Sequence, residues 1–191
     1  MTTLRRLLTT LLGALLVAGC GSGKPKGPPP LLEDSEAAKI FLQDAGVTNS
    51  AASPYIRGQI AVVNRTRKIL EKDVQRLLPG HLKATTRDDV ETVVWLDWST
   101  QQASGVKYSV MVEGKEKAVP ALYWVADVTV VDWKRKLLLG GTRISGKAPS
   151  DRMAPVNNNS LLETGGVVGT FPCKEIADYL AEVAAAIAVP K

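Results

Sequence analysis

A single histidine, His81, and two cysteines, Cys20 and Cys173, are all the imidazole and thiol metal ligands this sequence offers. A tetrahedral zinc site draws four groups mostly from those residue types, so none is expected, and no cofactor is implied. An excess of charge of one sign is missing as well. Lys and Arg number 24 against 19 Asp and Glu, a formal net charge of +5 over 191 residues. That bias is too small to argue for nucleic-acid binding. There is no long hydrophobic span. The apolar run Leu7–Ala18 is broken by Thr9, Thr10 and Gly13. At ~1.5 Å per residue it rises roughly 18 Å, well short of a ~30 Å hydrocarbon core. What the chain does have is a 45% hydrophobic composition, enough to build an ordinary core without disulfides.

The motifs that imitate catalysis fail on their neighbours. Residues 141–148, GTRISGKA, satisfy G-x-x-x-x-G-K. Ala148 stands where a metal-binding hydroxyl is required, and Pro149 follows where the phosphate-cradling helix would begin. No nucleotide is expected there. TGGVVGT (164–170) lacks the dinucleotide spacing. His81, in LLPGHLKA, has no nucleophile signature beside it and reads as a turn residue. Thr85 and Thr86 followed by Asp88, Asp89 and Glu91 read as a helix N-terminus, where acids meet the positive end of the dipole. Asp97, Asp127 and Asp132 lie in or beside strand-like segments rich in tryptophan. If two of them shared a pocket they could support acid–base chemistry, but wet-face and turn positions account for them more simply. Cys173, beside Lys174 at a helix start, is expected to be a lone, half-buried thiol.

The start of the chain is more specific. Arg5 and Arg6 precede the short apolar run, which ends in Val17-Ala18-Gly19-Cys20. A basic flank and a run of that length match an export signal. The four closing residues resemble the lipobox of bacterial lipoproteins, a resemblance confined to residues 1 to about 21. It implies cleavage between Gly19 and Cys20, with residues 1–19 removed, and a diacylglyceryl group on the Cys20 thiol. Acylation of the new N-terminus as well would make anchoring stable, since a single chain binds membranes only marginally. Gly21 rather than Asp after the cysteine implies the outer membrane over the inner one, in an organism that has two. Loss of Arg5 and Arg6 with the signal lowers the formal charge of +5 by two. With Cys20 lipidated, Cys173 has no partner for an internal disulfide.

Residues 20–32 form the lipidated cysteine and a Gly/Pro-rich tether, and residues 33–191 a single domain. EDSEAAKIFLQDAG reads as a short amphipathic helix capped by Asp34 or Ser35, with Ala37, Ile40, Phe41 and Ala45 on one face. YIRGQIAVVN, ETVVWLDW, GVKYSVMV, ALYWVADVTVVDW and KLLLGGTRI are rich in β-branched and aromatic residues. Residues 146–170 carry many Gly, Pro and Asn and read as a long loop. The chain closes on an amphipathic helix with Ile176, Tyr179, Leu180, Val183 and Ile187 on one face. The fold class is α+β. The expected sheet is antiparallel with five or six strands, covered by the C-terminal helix.

IAVVNRTRKIL (60–70) and VTVVDWKRKLL (128–138) align as apolar strand, Asn64 or Asp132, four turn residues, and a returning strand. Asn and Asp open such turns because their side chains bond the backbone ahead. Both segments read as hairpins with basic tips: Arg65, Arg67 and Lys68 at the first, Trp133, Lys134, Arg135 and Lys136 at the second. These tips are the candidate binding residues. No residues are assigned to catalysis or to metal binding. The expected role is a membrane-anchored envelope lipoprotein acting as a non-enzymatic binding or assembly module with an envelope protein partner. A binder of an anionic ligand or wall polymer through the tips is the alternative, and an enzyme using strand carboxylates comes third.

Overall fold

The computed structural model describes residues 35–43, 46–51, 53–112, 114–149 and 165–187. Gly19, Cys20, the tether and the middle of the 146–170 loop lie outside the described residues.

Ile60, Ala61, Val62 and Val63 are all fully buried, so strand β2 (Gln59–Asn64) is apolar on both faces. An antiparallel strand with one wet face alternates; a continuous apolar run marks a strand covered on both sides and commonly paired in parallel. β2 pairs in parallel with β4 (Val90–Val112), from Ile60↔Thr92 to Asn64↔Leu96. The connection between them passes through β3 (Ile69–Leu70), helix α2 (Lys72–Leu77) and a 3-10 turn at Gly80–Leu82. The sheet is therefore mixed, which corrects the antiparallel expectation. Its order is β1 (Thr48–Asn49), β6 (Leu137–Ser145), β5 (Lys115–Asp132), β4, β2, β3, with β7 (Val167–Val168) added on β5. Seven strands replace the expected five or six because β1, β3 and β7 are two residues each, too short to show a pattern.

Two further expectations change. Thr85–Asp89 is not a helix start. The Asp89 carboxylate accepts the Thr86 N–H and the Thr85 hydroxyl at 3.0 Å each, forming a turn that leads directly into β4. Those hydrogen bonds, above all from Thr86, hold the Asp89 carboxyl below the usual range. ETVVWLDW and GVKYSVMV are one strand of 23 residues, interrupted between Gln102 and Lys107 by a register shift against β5. Past that shift the β4–β5 pair runs on to Val112↔Lys115 beyond both neighbouring strands, as a largely exposed two-stranded arm.

Period-two alternation divides the rest of β4 and β5 between two cores. Val94, Leu96, Ala126, Val128 and Val130 face the C-terminal helix α3 (Cys173–Ile187) and α2, where Ile176, Ala177, Leu180, Val74 and Leu78 meet them. Val93, Trp95, Val131 and Val63 face helix α1 (Ser35–Ile40), which contributes Ala38 and the following Phe41. The Trp95 indole N–H donates to the Phe41 carbonyl at 2.7 Å, closing the end of α1 onto the sheet. Amphipathic helices at both ends were legible in the sequence. At α1 the fully buried residues are Ala38 and Phe41.

β3 is too short to satisfy the outer edge of β2, and a side chain from α2 does so instead. The Gln75 amide accepts the Val62 N–H at 3.0 Å and donates to the Ile60 carbonyl at 2.8 Å, in place of a ladder strand. Gln75→Ala orphans the Val62 N–H and leaves the Ile60 carbonyl only the Ala84 N–H at 3.3 Å, and the expected loss is about 1–2 kcal/mol. Urea unfolding checks this: the midpoint falls at unchanged slope, and an unchanged midpoint would mean that water replaces the amide without cost.

Candidate functional site

The two basic tips share one backbone solution. Asn64 Oδ1 accepts the Arg67 N–H at 2.9 Å, and Asp132 Oδ1 accepts the Arg135 N–H at 3.0 Å. Each four-residue turn closes on a lysine, Lys68 or Lys136, at φ 57°, which is the left-handed residue such loops need before the strand returns. What differs is the second atom of the opening side chain. Asn64 Nδ2 donates to Glu71 Oε2 at 2.9 Å, whereas Asp132 Oδ2 accepts from the Tyr55 hydroxyl at 2.8 Å. An amide stands where the partner is a carboxylate, and a carboxylate where the partner is a hydroxyl donor. Burial, then the bond to Asp132, raises the Tyr55 hydroxyl pKa.

The tips point away from each other. Asn64 pairs with Leu96 and Asp132 pairs with Thr92, at opposite ends of the shared part of the sheet. The pairings lie roughly 13 Å apart along β4, and each turn extends outward from there. The second tip is tied to the body. Trp133 packs edge-on against Phe41 at 5.4 Å, and Lys136 Nζ sits 2.9 Å from the centre of the Trp133 ring. Burial pulls the Lys136 pKa down. Lys134 donates to the Asp88 carbonyl at 3.4 Å, and Arg135 lies 4.0 Å from Asp132. At the first tip, Arg65 stacks 4.9 Å over Trp95 and lies 3.8 Å from Asp97. Lys68, with Arg65 and Lys39, lines an open groove of about 520 Å³ on the α1 side. Arg67 and Thr66 face a pocket on the other side.

The three strand aspartates do not converge. Asp97 and Asp127 are direct cross-strand neighbours, and Asp132 is buried at the far end against Tyr55. Facing carboxylates repel. Here Arg143 grips Asp127 with two bonds, at 2.7 and 3.0 Å, and Arg65 stands beside Asp97, so the two facing carboxylates are flanked by an arginine on each side. Arg143 holds the Asp127 carboxyl below the usual carboxylate range, so at neutral pH it has no proton to give. His81 lies exposed in the 3-10 turn, and Gly141–Ser145 run in β6 opposite β5.

The pocket beside the first tip holds about 200 Å³. Trp124 and Phe171 stack at 4.4 Å with 14° between their planes, and Trp98 meets both edge-on, at 6.2 and 5.1 Å. Beside them is the Glu71 carboxylate, whose Oε2 accepts from Asn64 and, at 3.2 Å, from the Trp98 indole N–H. Asp73 and Cys173 complete the lining with Asn64, Thr66 and Arg67. Trp98 and Trp124 come from β4 and β5, Glu71 and Asp73 from the start of α2, and Phe171 from the approach to α3. Phe171 is 44% exposed, unusual for a large apolar side chain. Its position is fixed by glycines: the Gly169 N–H donates to the Leu122 carbonyl at 2.9 Å, and a Cβ on Gly169 would overlap the Lys147 carbonyl. Only glycine allows that approach, so both ends of the 146–170 segment are held against β5 ahead of Phe171.

Of the sequence candidates, only Arg67 lines this pocket. Glu71, Trp98, Trp124 and Phe171 were missed as a set because no local spacing joins them; the usable signals were an exposed Phe before a helix and a run of close-packed glycines. Among the described residues no group of three or more His, Cys, Asp or Glu could hold a metal ion, and no helix is long and apolar enough to cross a membrane. The fold defines a mixed α+β domain, a seven-stranded sheet with helices against both faces. Comparison with protein-family models, curated proteins and solved structures finds no match to this chain.

Cys173 reports the electrostatics of the pocket. Burial, and then the negative charges of Glu71, Asp73 and Glu175, push its thiol up to about 11, the reverse of the lowering that a helix start and Lys174 would give. At pH 8 the alkylation rate of Cys173 is expected to lie on the order of a hundredfold below that of a free thiol. Glu71→Gln removes one of the charges that disfavour the thiolate, so its thiol pKa falls and the rate rises. Iodoacetamide kinetics on a chain with Cys20→Ser check both statements; an equal rate in the two proteins would show that Glu71 does not act on the thiol.

Proposed function

We propose that this chain is a lipid-anchored protein of the cell envelope, and that its domain is a binding module whose site is the aromatic pocket beside the first hairpin tip. The address rests on the resemblance of Val17-Ala18-Gly19-Cys20 to a lipobox, behind Arg5, Arg6 and a short apolar run. The binding role rests on one observation above all. Three aromatic rings, one of them 44% exposed, stand around a pocket with an oriented carboxylate. Exposed aromatics beside a few fixed polar groups are what ligand and partner sites share. Binding is favoured over catalysis because the cross-strand carboxylates Asp97 and Asp127 each stand beside an arginine.

A second reading keeps the basic tips as an anion-binding surface. It is favoured by the groove of about 520 Å³ lined by Lys39, Arg65 and Lys68, and it predicts affinity that falls steeply with salt.

In-cell photo-crosslinking tests the main reading. Thr66 lines the pocket and Lys134 lies at the other tip, so a crosslinking residue placed at each gives a site and its control. One discrete adduct from position 66, absent from 134 and lost with Phe171→Ala, is the expected result. Equal labelling from both positions would remove the pocket from the account. In the same cells Cys20→Ser is expected to move the protein out of the membrane fraction; retention there would overturn the lipid anchor.

A further inference from the structure

We propose that this pocket takes a protonated primary amine carried on an aliphatic chain, an inference that rests on the pocket being the binding site. Of the charged side chains lining it, Glu71 and Asp73 are acidic and Arg67 is basic, so the lining is net negative. Glu71 is the acid best placed to receive a ligand. Its Oε2 is occupied by Asn64 and Trp98, while its Oε1 receives no hydrogen bond among the described residues. That leaves one acceptor oxygen on a carboxylate that cannot swing away. A guanidinium prefers to bridge both oxygens of a carboxylate with two parallel bonds, and here the second oxygen is taken. A compact ammonium needs only a point of negative charge and suits the site better.

The walls fit the rest of the ligand. Trp98, Trp124 and Phe171 offer apolar contact for a methylene chain, and aromatic faces attract a cation by their quadrupole. A volume of about 200 Å³ admits one short chain. The amino end of α3 carries some positive character and would by itself favour an anion. Cys173 sits in that first turn; burial first, and then the charges of Glu71, Asp73 and Glu175, disfavour its thiolate, and the acidic part of that effect favours a cation as guest. The amine has two possible sources, a free aliphatic amine or the lysine side chain of a protein partner. Both present the same group.

Isothermal titration of the lipidated protein in detergent tests this. The probes are n-butylammonium chloride, n-butanol as its uncharged counterpart, and N-acetyl-lysine methylamide. Butylammonium is expected to bind at least tenfold more tightly than butanol. Glu71→Gln should weaken it at least tenfold, and Arg67→Ala should strengthen it severalfold by removing a repelling charge at the rim. If Glu71→Gln does not fold, Asp73→Asn replaces it, with a smaller loss expected because Asp73 is exposed and paired to Arg76. Binding of the lysine derivative as tightly as butylammonium points to a protein-borne lysine, and binding of butylammonium alone points to a free amine; each supports the amine. Equal binding of butanol and butylammonium overturns the amine and leaves the pocket standing. No binding of any probe, together with a position-66 crosslink insensitive to Phe171→Ala, overturns the pocket itself.

Discussion

One carboxylate holds the first hairpin, the crossover helix and the central strand in register. Glu71 begins α2, and its Oε2 accepts from Asn64 at the end of β2 and from Trp98 on β4. Hydrogen bonds to a charged group are worth about 1.5–3 kcal/mol, roughly twice those between neutral groups. Asn64 is itself buried and spends its other polar atom on the turn, accepting from Arg67. The same residue thus shapes the tip and aims the acid. Trp98 presents its indole N–H to Glu71 and its ring to Phe171. Displacing any one of the three would open the pocket and loosen the parallel crossover together.

The parallel crossover explains why the two tips diverge in role after starting from one turn. In a purely antiparallel meander each hairpin follows the last. Here the chain returns through α2 to run β4 alongside β2, so the first tip stands between the starts of α2 and α3 on one side and α1 on the other, while the second packs on the end of α1. At the second tip a tryptophan is partly buried: Trp133 packs on Phe41 under Lys136. At the first tip the equivalent position is Arg65, which reaches back over Trp95, while Arg67 is left at the rim of a cavity. Similar sequence gives similar backbone; the neighbours decide whether the turn is structural or presents a site.

How much of this was legible in the sequence follows from the range of each cause. Turn chemistry is local, so Asn64 and Asp132 announced both hairpins correctly. Helical periodicity is local too, and Ile176 and Leu180 marked the covering face of α3. The unbroken apolar run Ile60–Val63 carried the parallel pairing, but a run that short fits several environments. Thr85 to Asp89 misled because the same side-chain-to-backbone bonds that cap a helix also tighten a turn before a strand. The pocket was not legible. Glu71, Trp98, Trp124 and Phe171 are brought together by sheet register and by the approach of Gly169 to Lys147, neither of which is written in spacing.

The four tryptophans supply the most direct measurement, since each indole N–H gives its own signal in a nitrogen–proton correlation spectrum. Trp98 and Trp124 line the pocket, Trp95 is sealed against the Phe41 carbonyl, and Trp133 packs at the opposite tip. On titration with n-butylammonium the account predicts that the Trp98 and Trp124 signals move while those of Trp95 and Trp133 stay in place. Movement of Trp95 or Trp133 with Trp98 unmoved would contradict it.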